Sequence, residues 1–293
     1  MNLQKDLKGK VKRGEPLKKH TSFRIGGRAK FFAEPADIGD LKSLLRYARS
    51  NKIKFLVIGS GSNVLAKDGV LNRLVIHLNA IPFKRVAFKG SYCQAGSGVL
   101  LASLVQKAKQ RSLAGFEFCA GIPGTVGGAL AGNAGAQGKS IADIFVSAEV
   151  MDASGQLKTL NKSGVKFGYR SSSLDKYIII ASTFKLRPDS IKSIDSRAKG
   201  YLSSRRQSQD YSYPNAGCIF RNPANIPAGK LIDQCGLKGK TIGGACVSAK
   251  HANFILNRKN ASAKDVLSLI KAIRKQVKNR SGLGLQTEIK IWQ

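Results

Sequence analysis

The sequence has no uninterrupted apolar run of about 18 residues, so it offers no membrane-spanning helix. Met1 to Lys19 is charged throughout, which excludes the apolar segment of a signal peptide. These absences predict a cytoplasmic protein with no membrane partner. The five cysteines, Cys93, Cys119, Cys218, Cys235 and Cys246, are odd in number, widely spaced and free of any CxxC pair, which argues against a disulfide framework or a zinc site. Reduced thiols are the default, most of them small core residues. The three histidines, His20, His77 and His251, have no ligand spacing, and no metal is expected. Internal repeats and low-complexity linkers are also missing. Acidic residues are scarce: 17 Asp and Glu stand against 50 Lys and Arg, a formal net charge of +33. Such a surface attracts polyanions. The basic residues are nevertheless spread through nearly every segment, and no stretch interleaves them with aromatics as a single-strand platform would. Nucleic acid is therefore not the expected partner. A solvated basic surface, or steering of an anionic small substrate, accounts for the charge.

What is present is an alternation of helix and strand signals over 293 residues, enough for two or three compact units of mixed α and β structure. Leu41, Leu44, Leu45 and Ala48 lie at helical spacing in Asp40 to Asn51, behind Asp37 and Asp40 as caps. Ile53 to Ile58 and Leu74 to Leu78 read as strands, Val99 to Arg111 as a helix, and Phe145 to Asp152 and Tyr177 to Leu186 as further strands. The polar, basic region Arg187 to Asp210 reads as a domain connection. Beyond it, Lys230 to Cys235 is predicted helical, and Thr241 to Val247 and Asn253 to Asn257 are predicted strands. A last helix runs from the cap Ser262, with Asp265 completing a capping box, through Asn279 to a stop at Gly282. Leu285 to Trp292 is predicted to be a terminal strand.

Two uncharged loops stand out. Gly59-Ser60-Gly61-Ser62-Asn63 follows a strand, but Val64 occupies the place of a third dinucleotide-fingerprint glycine and no helix pattern follows at once, which disfavours a Rossmann site. An ordinary glycine turn is the alternative for this loop taken alone. The second loop, Gly121 to Gly138, is dense in glycine and free of charge until its end, and close packing through small residues is its alternative. Together, two loops without side-chain bulk suit a pyrophosphate held by backbone N–H groups.

The ordered series His20-Thr21-Ser22-Phe23-Arg24-Ile25-Gly26-Gly27, Gly59 to Leu65, Gly121-Ile122-Pro123-Gly124-Thr125-Val126-Gly127-Gly128, Asn133-Ala134-Gly135-Ala136 and Tyr169-Arg170 resembles the UDP-N-acetylenolpyruvoylglucosamine reductases. It continues in Tyr213 to Pro223, Leu231-Ile232-Asp233, Gly243-Gly244-Ala245 and His251-Ala252-Asn253-Phe254, over nearly the whole chain. The resemblance implies an α+β fold: a p-cresol methylhydroxylase-type FAD-binding domain of two α/β subdomains, then a C-terminal α+β substrate-binding domain. The boundaries expected are an N-terminal segment 1–22, an FAD-binding domain 23–187, a substrate-binding domain 188–284 and a terminal strand 285–293. Non-covalent FAD, with NADPH as reductant, is implied, with Gly59, Ser60, Gly61, Ser62, Asn63, Val64, Ile122, Pro123, Gly124, Thr125, Gly128, Asn133 and Gly135 as cofactor-binding residues. His20, which could be mistaken for a flavin tether, is expected to be structural.

The reaction implied is reduction of UDP-N-acetylglucosamine enolpyruvate to UDP-N-acetylmuramate in peptidoglycan precursor synthesis. Hydride addition to the vinyl ether pushes charge onto the adjoining carboxylate, and that charge must be stabilised and the carbanion protonated. By resemblance, Arg170 meets the first need, Glu288 assists it, and Cys218 supplies the proton. Many relatives carry serine in place of Cys218, but a thiol with a reference pKa of about 8.5 is protonated at neutrality and releases its proton more readily than a hydroxyl. Tyr169, Asn222 and His251 are expected to face the nucleotide sugar. The short run from Tyr169-Arg170 to Tyr177 leaves no room for the tyrosine-bearing loop of one family type. A monomer acting on a small nucleotide-sugar substrate is expected. The alternatives are a flavin oxidase on the same FAD domain, needing no NADPH, and a charge-driven nucleic-acid binder, which leaves the uncharged loops unexplained.

Overall fold

The computed structural model describes residues 7–223 and 226–293; the first six residues of the expected N-terminal segment lie outside them. The chain divides into two compact units that interleave along the sequence. The first comprises the chain up to Arg13, Phe31–Ser60 and Asn72–Ser204; the second comprises Gly14–Lys30, Gly61–Leu71 and Arg205–Gln293. The helices are α1 (Ile38–Ser50), α2 (Leu101–Lys109), α3 (Val126–Ala131), α4 (Ile141–Ile144), α5 (Ile191–Ser208), α6 (Ala228–Gln234) and α7 (Ala263–Ser281).

Two apolar clusters build the first unit. A four-stranded sheet, ordered Lys10–Pro16, Arg28–Glu34, Val70–His77 and Phe55–Ile58, ends in a parallel pair. In the first unit it is covered by α1, whose Leu41, Leu44, Leu45 and Ala48 are buried with Phe31, Leu74 and Ile76. Asp37 is the N-cap of α1 and accepts a hydrogen bond from the Asp40 amide at 2.9 Å. A five-stranded antiparallel sheet follows, ordered Leu157–Asn161, Phe145–Met151, Ile178–Lys185, Tyr92–Gly96 and Val86–Lys89. Its strand Ile178–Lys185 turns Ile178 and Ile180 into the first cluster, while Ile179 and Phe184 join a second cluster with α2 and α3. Burial on both faces explains the unbroken isoleucine run.

Arg187 to Asp210 is not a bare connection: α5 occupies most of it. Only Ile194 of that helix is fully buried, so no apolar stripe announces it. Charge ties it down instead. Arg197 donates to the buried Glu117 at 2.7 and 3.0 Å and to Asp189 at 2.7 Å, and Asp195 pairs with Lys109 and Lys199.

In the second unit, α6 and α7 bury Leu231, Ile232, Val266, Leu269, Ile270 and Ile273 with Phe23, Leu65 and Phe220. The predicted strand Thr241 to Val247 is two strands, Thr241–Ile242 and Ala245–Val247, broken at Gly243 with φ 55°. The second of these pairs with Ile255–Asn257. The predicted terminal strand is shorter than expected: Lys290–Trp292 alone pairs, in parallel, with Val64–Ala66, and Glu288 lies outside it in irregular backbone. Helix α7 starts and stops as its sequence dictates. Ser262 and Asp265 form a capping box and Gly282 closes the helix at φ 71°. Ser262→Ala is expected to lower stability by about 1 kcal/mol, read as a lower urea midpoint; an unchanged midpoint would mean that the cap contributes nothing in solution.

Candidate active site

The first unit carries Gly59, the Gly121–Gly128 loop, Asn133 with Gly135, and the Tyr169–Arg170 turn. The loop after strand Phe55–Ile58 begins at Gly59, where an added Cβ would lie 2.5 Å from the Thr125 hydroxyl. Gly59 and the Gly121–Gly128 loop therefore meet with no room for a side chain. Thr125 caps α3, accepting from the Gly128 amide at 3.4 Å, while Gly124 O accepts from the Leu101 amide at 3.0 Å. The amides of Val126 and Gly127 donate to Val99 O and Ser97 O, both at 2.9 Å, and fix the loop on the five-stranded sheet. Pro123 and Gly128 are exposed on this uncharged rim, whereas Ile122 packs against the core. The Ser97 hydroxyl is buried against Gly127 without a hydrogen-bond partner among the described residues. A flush, uncharged cradle with an orphaned donor beneath it fits the diphosphate of FAD.

Tyr169 and Arg170 form the two-residue turn between strands Phe167–Gly168 and Ser171–Ser172. No inserted loop stands between them and Tyr177, only Ser171–Ser172 and a 3₁₀ turn. Arg170 holds a left-handed φ of 53°, an expense for a residue with a Cβ. Its Nη1 donates to Gly135 O at 2.9 Å, and its guanidinium lies 5.6 Å from the centre of the exposed Tyr169 ring. Asn133 supports the same turn: its Nδ2 donates to Gly168 O at 2.9 Å and its Oδ1 accepts from the Ala142 amide at 3.3 Å. Gly135 and Asn133, expected to hold cofactor, thus also brace Arg170.

In the second unit the first loop continues. Gly61, at φ 62°, packs so closely that a Cβ would collide with His20 O, and its carbonyl accepts from the Ser22 amide at 3.1 Å. Past Ser62, the Asn63 Nδ2 donates to Glu288 O at 3.3 Å, and Val64 enters the parallel pair. Glu288 is held from a second side, where its amide donates to Ile219 O at 2.7 Å. The residue next to Cys218 and the backbone of Glu288 are therefore directly bonded. The half-buried Cys218 itself bridges to Phe254 in antiparallel register.

Asn222 spends its Oδ1 on the Ala228 amide at 3.0 Å, at the start of α6. His251 packs against Phe254 with ring centres 4.5 Å apart and the rings tilted by 52°, and burial pushes its pKa below the ordinary histidine value. Its Nδ1 accepts from the Asn253 amide at 3.2 Å, so the neutral ring carries its proton on Nε2. His20 Nε2 sits 3.0 Å from Glu15 Oε1. Asn253 stands in the string His251-Ala252-Asn253-Phe254 as a polar side chain in an otherwise apolar run, and the sequence assigns it no role.

Residues 29–161 match the profile of a family described as FAD binding domain. Together with the two sheet-based core clusters of the first unit and the flush glycine loops, this defines the class: the protein is an FAD-dependent oxidoreductase. Residues 209–292 match the profile of the UDP-N-acetylenolpyruvoylglucosamine reductase C-terminal domain. The chain is 42% identical over 286 residues to UDP-N-acetylenolpyruvoylglucosamine reductase 2 of Symbiobacterium thermophilum, covering 97% of this chain and 92% of the relative. It is 41% identical over 290 residues to the reductase of Geobacter metallireducens, covering 99% and 96%. The crystal structure of the Thermus caldophilus reductase superposes with a TM-score of 0.84 at 33% identity, covering 98% of this chain and 100% of that one. The chain belongs to the UDP-N-acetylenolpyruvoylglucosamine reductase family, FAD-dependent reductases of peptidoglycan synthesis. The expected fold class holds: a p-cresol methylhydroxylase-type FAD-binding domain with a C-terminal α+β domain.

Proposed function

We propose that this protein reduces UDP-N-acetylglucosamine enolpyruvate to UDP-N-acetylmuramate at the expense of NADPH. FAD supplies the hydride-transfer chemistry when bound. Gly59, Ser60, Gly61, Ser62, Asn63, Val64, Ile122, Pro123, Gly124, Thr125 and Gly128, with Asn133 and Gly135, would hold it. The chain's own task is to manage the charge and the proton that hydride addition leaves on the substrate. Arg170 stabilises the carboxylate as it gains charge, because its forked donors match two oxygens at once. Cys218 gives its Sγ proton to the substrate carbon next to that carboxylate, and the thiolate left behind is reprotonated from solvent. Glu288 polarises the same group or relays the proton. His251, through Nε2–H, Asn222 and Tyr169 bind the nucleotide sugar.

The observation that carries this reading is the 2.7 Å bond from the Glu288 amide to Ile219 O. It keeps an acid and a thiol from distant parts of the sequence on neighbouring backbone. The boundaries proposed for the domains remain 23–187 for FAD, 188–284 for substrate and 285–293 for the segment bearing Glu288. The working form is a cytoplasmic monomer, with neither nucleic acid nor membrane as partner.

The test is a visible spectrum of the purified protein taken anaerobically. Flavin absorbance is expected, bleaching with NADPH and returning on addition of UDP-N-acetylglucosamine enolpyruvate. A colourless protein that takes up no FAD would sink the reading. Bleaching without return would remove the substrate assignment alone.

A further inference from the structure

Asn253 is 3% exposed within an apolar cluster, and burying an amide there is unfavourable unless every polar atom is satisfied. It is. Nδ2 donates to Phe220 O at 2.8 Å, and Oδ1 accepts from the Phe220 amide at 2.9 Å. The Asn253 carbonyl accepts from the Ile219 amide at 2.9 Å, and its own amide donates to His251 Nδ1 at 3.2 Å. The side chain thus imitates one more peptide unit, pairing with both backbone groups of Phe220 as a neighbouring strand would. On the other side, Ile219 O accepts from Glu288, and the Arg221 amide donates to Gln286 O at 2.9 Å. The two residues after Cys218 are therefore clamped between Asn253 and the segment of Glu288. Packing alone would need only an apolar side chain of similar size here; the amide matters for alignment.

We infer that Asn253 is a positioning residue for the reduction: through its side-chain bonds to Phe220 it sets the Cys218 backbone against Glu288. The inference rests on the proton-donor reading of Cys218. Asn253 touches neither substrate nor cofactor and acts through these neighbours.

The test separates the two half-reactions by stopped flow in H₂O and D₂O, using NADPH and then UDP-N-acetylglucosamine enolpyruvate. Asn253→Asp keeps the shape but presents no donor to Phe220 O when ionised; Asn253→Ser is the second variant. In both, bleaching by NADPH is expected at the parental rate. Reoxidation by substrate is expected to slow by about 10²-fold, the cost of misplacing a reacting group by about 1 Å, with a larger solvent isotope effect. Added to Cys218→Ala, Asn253→Asp is expected to slow reoxidation no further, since both act on one proton. Equal slowing of both half-reactions, unaltered reoxidation or multiplying effects in the double variant would overturn the inference. So would failure of both variants to accumulate as FAD-holding protein, which would make Asn253 a purely structural requirement. A Cys218→Ala enzyme of normal activity would instead overturn the reading of Cys218.

Discussion

Cys218→Ala is expected to lower product formation by about 10²-fold or more while NADPH still bleaches the flavin at the parental rate. The split follows from where the thiol enters. Flavin reduction requires no proton on the substrate carbon, whereas the second half-reaction cannot finish without one. Alanine removes the donor but leaves the backbone unaltered, including the Ile219 to Glu288 bond and the bridge to Phe254. Cys218→Ser is expected to retain much of the activity, because a hydroxyl in the same place also carries a proton, though a less acidic one. Normal turnover by Cys218→Ala would show that the proton comes from elsewhere. Equal loss of flavin bleaching would point to a damaged fold.

Arg170→Lys is expected to slow reoxidation by about 10² to 10³-fold, the scale of losing one preorganised donor to a developing anion. The charge survives in lysine; the planar fork and its bond to Gly135 O do not. The turn itself is set by Phe167–Gly168, Ser171–Ser172 and Asn133, so the backbone should persist. A turn that holds a non-glycine residue at φ 53° over-determines its conformation, and that rigidity aims the guanidinium without further ordering. Single-turnover reoxidation at several substrate concentrations checks this. If Arg170→Lys reoxidises at the parental rate, a point charge suffices and the forked-donor role is wrong.

The sequence disclosed elements wherever local chemistry and packing agreed. Helix α7 carries its cap, its apolar face and its glycine stop in one stretch, and α1 carries Asp37 and four core residues at helical spacing. The glycine loops were legible because missing side chains are visible in a sequence, although the meeting of Gly59 with Thr125 was not. Helix α5 has no periodic signature in the sequence because ion pairs with Glu117, Asp189 and Lys109 hold it, and such partners leave no periodic trace. The apolar Leu285, Ile289 and Trp292 predict a strand that would include Glu288. In the structure Leu285 and Ile289 belong to the core cluster of the second unit rather than to a sheet. The role of Asn253 is not legible for a related reason: its four partners come from Phe220, Ile219 and His251, and only folding brings Phe220 and Ile219 beside it.

The parallel pairing of Val64–Ala66 with Lys290–Trp292 has a consequence for biosynthesis. At roughly 5 to 20 residues per second, the ribosome delivers the second strand on the order of ten seconds or more after the first. Until then the Val64–Ala66 edge, with Asn63 beside it, lacks its mate Lys290–Trp292. An unmated apolar edge invites association with other chains. A nascent chain carrying a large excess of positive charge repels its copies through that interval.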